Sequence, residues 1–135
     1  MTSLEPYSSD DVKRRKRNDF LSKIIKSESG IKKVILVERT GLTIASVYKF
    51  SYIPADVDSI GATASKVFSA CEKQGKNLEL GDLELMTSEF TGGKIFASSC
   101  GPKGVLTLIS GPDINTSSIR LKLKSSRDEL KEILD

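Results

Sequence analysis

Two runs in this chain, Val34-Ile35-Leu36-Val37 and Val105-Leu106-Thr107-Leu108-Ile109, are apolar at nearly every position instead of at alternate ones. Successive side chains of a strand point to opposite faces, so each run must be covered on both sides. Both therefore belong in the middle of one sheet, with a layer of helices above and below it. A chain of 135 residues has room for one such three-layer domain.

The remaining segments supply the flanks. Val12, Phe20, Leu21, Ile24 and Ile25 recur at helical spacing after Ser8 or Ser9, either of which can cap, and Gly30 is the stop. That predicts a first helix over residues 10–28, preceded by a flexible tail over 1–9, with the domain occupying 10–135. Val34–Val37 and Leu42–Tyr48, joined at Thr40-Gly41, read as an antiparallel hairpin. Pro54 ends it, and Asp56 is a good N-cap for a second helix to about Lys73, closed by Gly75.

Three strands follow, at Leu83–Phe90, Lys94–Ser99 and Val105–Ile109, linked by Gly92-Gly93 and Gly101-Pro102-Lys103-Gly104. At the C-terminus, Ile119, Leu121 and Leu123 alternate like a strand, whereas Ile119, Leu123, Leu130, Ile133 and Leu134 fit a helix. Length, polar content and the preceding Asn115-Thr116 favour the helix. The expected fold is an α/β sandwich: element order αββαβββα, one five-stranded antiparallel sheet, helices on both faces.

The chain is poor in catalytic groups. It has no histidine, which removes Ser-His-Asp and Cys-His catalysis and imidazole metal sites. Cys71 and Cys100 form neither a C-x-x-C pair nor a disulfide framework, so a reduced, cytoplasmic protein is expected. A net charge of +3 is too mild for nucleic-acid binding by the whole surface. No catalytic residue, metal site or cofactor is expected.

With the elements in this order, the chain resembles the roadblock/dynein light chain family, the fold of regulators and scaffolds for Ras-like small GTPases. The resemblance covers about residues 10–134. It rests on the hairpin from Val34 to Ala45, the helix start Asp58-Ser59-Ile60-Gly61-Ala62-Thr63-Ala64, and Gly104-Val105-Leu106-Thr107-Leu108-Ile109-Ser110 followed by Ile119 to Leu134. Thr40 departs from the pattern, since the family usually has Asp before the turn glycine. The resemblance implies strand order 2-1-5-4-3, in agreement with the two doubly apolar runs. It also implies dimers that pair the second helix and third strand with their symmetry mates.

Two features of the sequence agree with such pairing. The third strand would be a sheet edge with exposed hydrogen-bonding groups. Gly61, Ser65 and Ser69 form a ridge of small residues at four-residue spacing on the second helix. That ridge either lets a partner helix approach closely or packs on the chain's own sheet, and the dimer reading is preferred. Ile60, Gly61, Ala64, Ser65, Phe68, Leu83 and Leu85 are the expected interface residues, with Gly61 and Ser65 near the axis. Ser59, Ala62, Thr63 and Lys66, outside the main core stripe, are the candidate contacts for a small GTPase.

Other signals are weighed against plainer readings. Lys13-Arg14-Arg15-Lys16-Arg17 is the strongest local charge feature, a candidate basic patch that reads first as a solubilising helix surface. An acidic protein, anionic lipid or nucleic acid is the alternative, and no aromatic platform accompanies the run for single-strand binding. Thr91-Gly92-Gly93-Lys94 has a fragment of a phosphate loop but joins two strands and is followed by Ile95, so it is a hairpin turn. Arg39, beside the Thr40-Gly41 turn, could serve as an arginine finger in trans, although a surface arginine at a strand end is commoner. Glu79, Asp82, Glu84 and Glu89 are spread along the third strand and its approach without forming an acid–base pair.

The expected function is a non-enzymatic homodimer, or a heterodimer with a paralogue, that binds a Ras-like small GTPase. If it promotes hydrolysis, it would do so by positioning the GTPase's own residues. The alternatives are a nucleotide-independent scaffold subunit and an anionic-surface adaptor using the first helix. Nucleic acid is not an expected partner, and membranes are expected only peripherally.

Overall fold

A computed structural model of the chain describes residues 9–49 and 57–134. Eight elements follow one another in the expected order: α1 (Ser9–Ser27), β1 (Ile31–Glu38), β2 (Thr43–Tyr48), α2 (Val57–Asn77), β3 (Leu85–Phe90), β4 (Gly93–Ser99), β5 (Gly104–Ser110) and α3 (Thr116–Leu134). The strands form one antiparallel sheet in the order β2-β1-β5-β4-β3. The two doubly apolar runs are neighbours near its middle. Val34 lies opposite Leu108 and Leu36 opposite Leu106, while Ile35 faces Thr107 and Val37 faces Val105 across the same ladder. All eight are buried.

Each face of that pair has its own cover. Phe20, Leu21, Ile24 and Ile25 of α1, with Ile119, Leu123 and Leu130 of α3, pack over Val34, Leu36, Leu106, Leu108 and Phe96. On the opposite face, Phe68 of α2 packs against Val105 and Ala97. Full burial of such a side chain contributes about 1.5–3 kcal/mol, so burial on both faces makes the central strands a major favourable contribution. Because β2 and β3 are opposite edges, the connection between them must cross the sheet. α2, whose 21 residues extend about 31 Å, makes that crossing over β2, β1 and β5.

Several boundaries differ from those expected, for local reasons. β1 begins at Ile31 and carries Lys33, buried on the α2 face with its Nζ 5.7 Å from the Tyr48 ring centroid. Burial lowers the pKa of that lysine from its ordinary value. β3 begins two residues later than expected, at Leu85. α2 runs through Gly75 to Asn77 and stops in a Schellman motif, in which Glu79 N–H donates to Lys76 O (3.1 Å) and Leu80 N–H to Gly75 O (2.8 Å). The left-handed position falls on Glu79, at φ 58°, where glycine is the usual occupant. The C-terminal segment is a helix, and Asn115 Oδ1 accepts the Ser118 N–H at 2.9 Å as its N-cap. Of the tail expected over 1–9, residues 1–8 lie outside the described residues, as does the cap at Asp56, while Ser9 is the first residue of α1.

Two substitutions test these helix ends. Glu79→Gly is expected to raise stability by about 0.5–1 kcal/mol by relieving the left-handed backbone. Asn115→Ala is expected to lower it by about 1 kcal/mol through loss of the cap. Urea unfolding followed by circular dichroism measures both shifts, with unchanged m-values.

Candidate functional site

α2 lies over the β2, β1 and β5 side of its sheet face and reaches β4 through Phe68 against Ala97, leaving the outer part of β4 and β3 less covered. That strip forms a groove of about 380 Å³ between the helix and the strands. Ile60, Thr63, Ala64 and Val67 form its helical wall, and Met86, Ser88, Phe90 and Ile95 its strand side. Ala97 and Thr107, both buried, complete the lining, and the Thr107 hydroxyl has no hydrogen-bond partner. Val67 is 49% exposed and Phe90 58%, so large apolar side chains stand in water on both sides. Immediately beside the groove, β3 is the last strand of the sheet, and its outer backbone groups face no further strand.

The structure redistributes the residues expected at a dimer interface. Ile60 and Ala64 line the groove. Gly61, Ser65 and Phe68 do not: they form the inner face of α2 and belong to the chain's own core. A Cβ on Gly61 would lie 3.0 Å from Thr43 Oγ1 and 3.1 Å from a Val37 methyl. The Ser65 hydroxyl donates to Arg39 O (2.9 Å) and shares a 3.3 Å contact with Glu38 O, and Phe68 is fully enclosed. The small ridge therefore brings α2 close to its own sheet, and these three residues have no surface to offer near a two-fold axis. Leu83 packs against the Phe68 cluster and Leu85 against the α1/α3 side, and neither lines the groove.

The groove residues that sequence reasoning missed are Val67, Met86, Ser88, Phe90, Ile95, Ala97 and Thr107. Met86, Ser88 and Phe90 have the two-residue period of one strand face, a signal present in the sequence. Which face met α2 depended on a register that periodicity alone leaves open. The candidate GTPase contacts share the outer arc of α2. Ser59, Thr63 and Lys66 are exposed, with Ser59 and Thr63 bordering the groove. Ala62 is half-buried on the other flank, where a Cβ added to Gly41 of the β1–β2 turn would lie 3.5 Å from its Cα.

Arg39 is tied down at the end of β1. Its guanidinium pairs with Glu72 of α2 and donates to Ser99 Oγ (3.1 Å) and Gly101 O (3.0 Å). It also lies over the Phe68 ring, 5.1 Å from the centroid. The side chain thus joins the first hairpin, α2 and the β4–β5 turn, and is not presented for catalysis in trans. Lys94, after the Gly92-Gly93 turn, donates to Ile114 O (3.1 Å) and Thr116 Oγ1 (2.9 Å), which anchors the start of α3. Cys71 is half-buried, whereas Cys100 is buried and its thiol is pushed up to about 12 by that burial, against the opposing charge of Arg39 and Arg127. Lys13, Arg14, Arg15 and Lys16 are exposed along α1, and Arg17 is half-buried. Among the described residues there is no cluster of three or more metal-ligating side chains, and no helix is long and apolar enough to cross a membrane.

Comparison with known proteins agrees with this architecture. The family described as the Roadblock/LC7 domain matches residues 17–110. The uncharacterized proteins MJ0310 and MJ0714 of Methanocaldococcus jannaschii are 33% and 32% identical over 104 residues, which is 76% of this chain and 86% and 83% of theirs. Among solved structures, the gliding protein MglB from Thermus thermophilus superposes with a TM-score of 0.82 at 15% identity, covering 98% of this chain and 96% of that one. MglB of Myxococcus xanthus superposes with a TM-score of 0.80 at 22% identity, covering 99% and 92%. An MglB structure described as having a tetrameric arrangement gives 0.83 at 15% identity, covering 98% and 96%.

The Arg39 cluster and the two thiols give separate tests. Arg39→Ala is expected to cost about 2 kcal/mol in chemical unfolding, because Glu72 and the Gly101 carbonyl lose their partner in a half-buried site. In the native protein at pH 8, a thiol reagent should modify Cys71 and leave Cys100 untouched until the chain unfolds. The raised pKa of Cys100 means that its contribution to stability is complete below about pH 9 and is lost as the pH climbs through about 12.

Proposed function

This chain belongs to the Roadblock/LC7 family, and on that premise we propose that it is a self-associating, non-catalytic regulator that docks a Ras-like small GTPase. The observation that carries the reading is the open strip beside α2: an apolar groove continuous with an unpaired sheet edge. A second copy answers both needs together. Its β3 pairs with the exposed β3 ladder, and its apolar residues enter the groove formed by Ile60, Val67, Met86 and Phe90. An edge strand and an apolar strip on one side of a molecule suit a two-fold, self-complementary contact. The tetrameric arrangement in the description of one MglB structure supports self-association as a habit of this fold.

With the groove closed by a second copy, the outer arc of α2 remains available. Ala62 and Lys66 lie outside the groove lining and the exposed Ser59 and Thr63 sit at its rim, so that together, doubled by symmetry, they offer small side chains and one cation as a docking platform for the GTPase. The Arg39 guanidinium is committed to Glu72, Ser99 and Gly101. Any stimulation of hydrolysis therefore works by ordering the GTPase's own switch residues.

Two measurements test the reading. Sedimentation of the wild type should give a dimer or higher multiple at micromolar concentration, and Ile60→Arg or Met86→Arg should give a folded monomer. A monomeric wild type removes the self-association. Small GTPases from the same organism, loaded with GDP or a non-hydrolysable GTP analogue, should bind with a preference for the GTP form, and Lys66→Glu, outside the groove lining, should weaken binding at least tenfold while leaving the dimer intact. Equal binding of both forms would assign the protein to the scaffold class instead, and binding to none of them would remove the GTPase as partner.

A further inference from the structure

The N-terminal half of α1 contributes no buried side chain to the core, although Asp11 and Arg17 are half-buried. No residue from Asp10 through Asp19 is buried, and burial starts at Phe20. Seven basic and three acidic residues nevertheless give α1 a formal charge of +4, more than the +3 of the whole chain. Five of the cations are consecutive, Lys13 through Arg17.

That arrangement works against the helix that carries it. Lys13 and Arg17 are like charges four residues apart, and Lys13–Lys16 and Arg14–Arg17 are like charges three apart. The run also sits towards the positive end of the helix dipole, which Asp10 and Asp11 in the first turn offset in part. The exposed Arg14–Asp11 pair, at 3.6 Å, adds little in water. A segment that buries no side chain in the core and opposes its own secondary structure is where a requirement other than folding is expected.

We propose that this basic half of α1 is a peripheral membrane contact that adsorbs to anionic lipid headgroups. Three observations select lipid over other polyanions. At about 100° per residue, five consecutive cations point all round the helix, so no rigid flat surface meets them together. Anionic lipids diffuse laterally and gather on both flanks, while the long lysine and arginine stems bend towards one plane. The run is also only about 7.5 Å long, enough for about two phosphates of one nucleic-acid strand, and Asp10, Asp11 and Asp19 bound it at both ends. Val12 is the lone apolar residue of the segment, so the helix holds the headgroups by charge and does not insert. The contact is therefore salt-sensitive, and it is independent of the GTPase reading.

Flotation of the full-length protein with lipid vesicles tests this contact. Vesicles containing about 30 mol% phosphatidylglycerol should carry the protein at about 50 mM salt and release it at about 500 mM, while pure phosphatidylcholine vesicles should not bind it. The combined variant Lys13→Gln, Arg15→Gln and Lys16→Gln should lose at least about tenfold in partitioning with an unchanged circular dichroism spectrum. A charge-matched control, Lys73→Gln, Lys103→Gln and Lys124→Gln, should bind like the wild type. The proposal is overturned by any of three results: no flotation at low salt, equal loss in the control, or tighter binding to a DNA duplex than to the anionic vesicles.

Discussion

Burial of β1 and β5 on both of their faces is the constraint on which the rest of the molecule depends. Neither run can be exposed without placing a continuous row of Val, Ile and Leu in water, so each face requires its own layer. α1 and α3 share one face, and a single helix, α2, has the other. One helix cannot cover five strands. Neighbouring strands lie about 4.8 Å apart, so a helix about 10 Å across shields roughly two or three of them. The less covered strip over β4 and β3 follows from that mismatch of widths, and so does the groove.

The position of α2 is held from its inner side. Gly61 lets the helix approach Val37 and Thr43, Ser65 ties it to the carbonyls at the end of β1, and Phe68 fills the space above Val105. Arg39 then links Glu72 to the β4–β5 turn. This keeps α2 over β1 and β5 and away from the β3 edge, so the same contacts that stabilise the domain preserve the surface proposed for self-association. The exposed part of the outer arc, Thr63 and Lys66, is not buried in the core, which suits a docking surface better than a catalytic one. α1 divides its roles along its length instead: its C-terminal half packs, and its N-terminal half carries the charge.

Most of the fold was legible because its signals are local. The doubly apolar runs, the glycine-marked hairpins and the helical spacing of Phe20, Leu21, Ile24 and Ile25 each report a state of the chain around them. The misread boundaries are cases in which a local signal was ambiguous. Gly75 is a plausible helix stop, but the chain continues and spends a left-handed conformation on Glu79. The C-terminal segment fitted two periods, and the Asn115 cap agrees with the helical one.

The candidate site was less legible. Its helix, its edge strand and the outer arc of α2 could be read from element order and resemblance, whereas the assignment of side chains to its surfaces could not. A helical wheel gives relative angles without saying which side meets the sheet, so Gly61, Ser65 and Phe68 could be read as facing a partner. Alternation along β3 likewise separates Leu85 from Met86 without saying which one lies under α2, a choice made by the pairing of Met86 with Ala97 across the ladder. The elements, their order and the two strands that had to be central follow from periodicity and turn chemistry, which act over a few residues. Which face of α2 is spent on the core, and where the groove opens, depend instead on register and on the lateral placement of a helix across strands distant in the chain, so they are settled only when the chain folds.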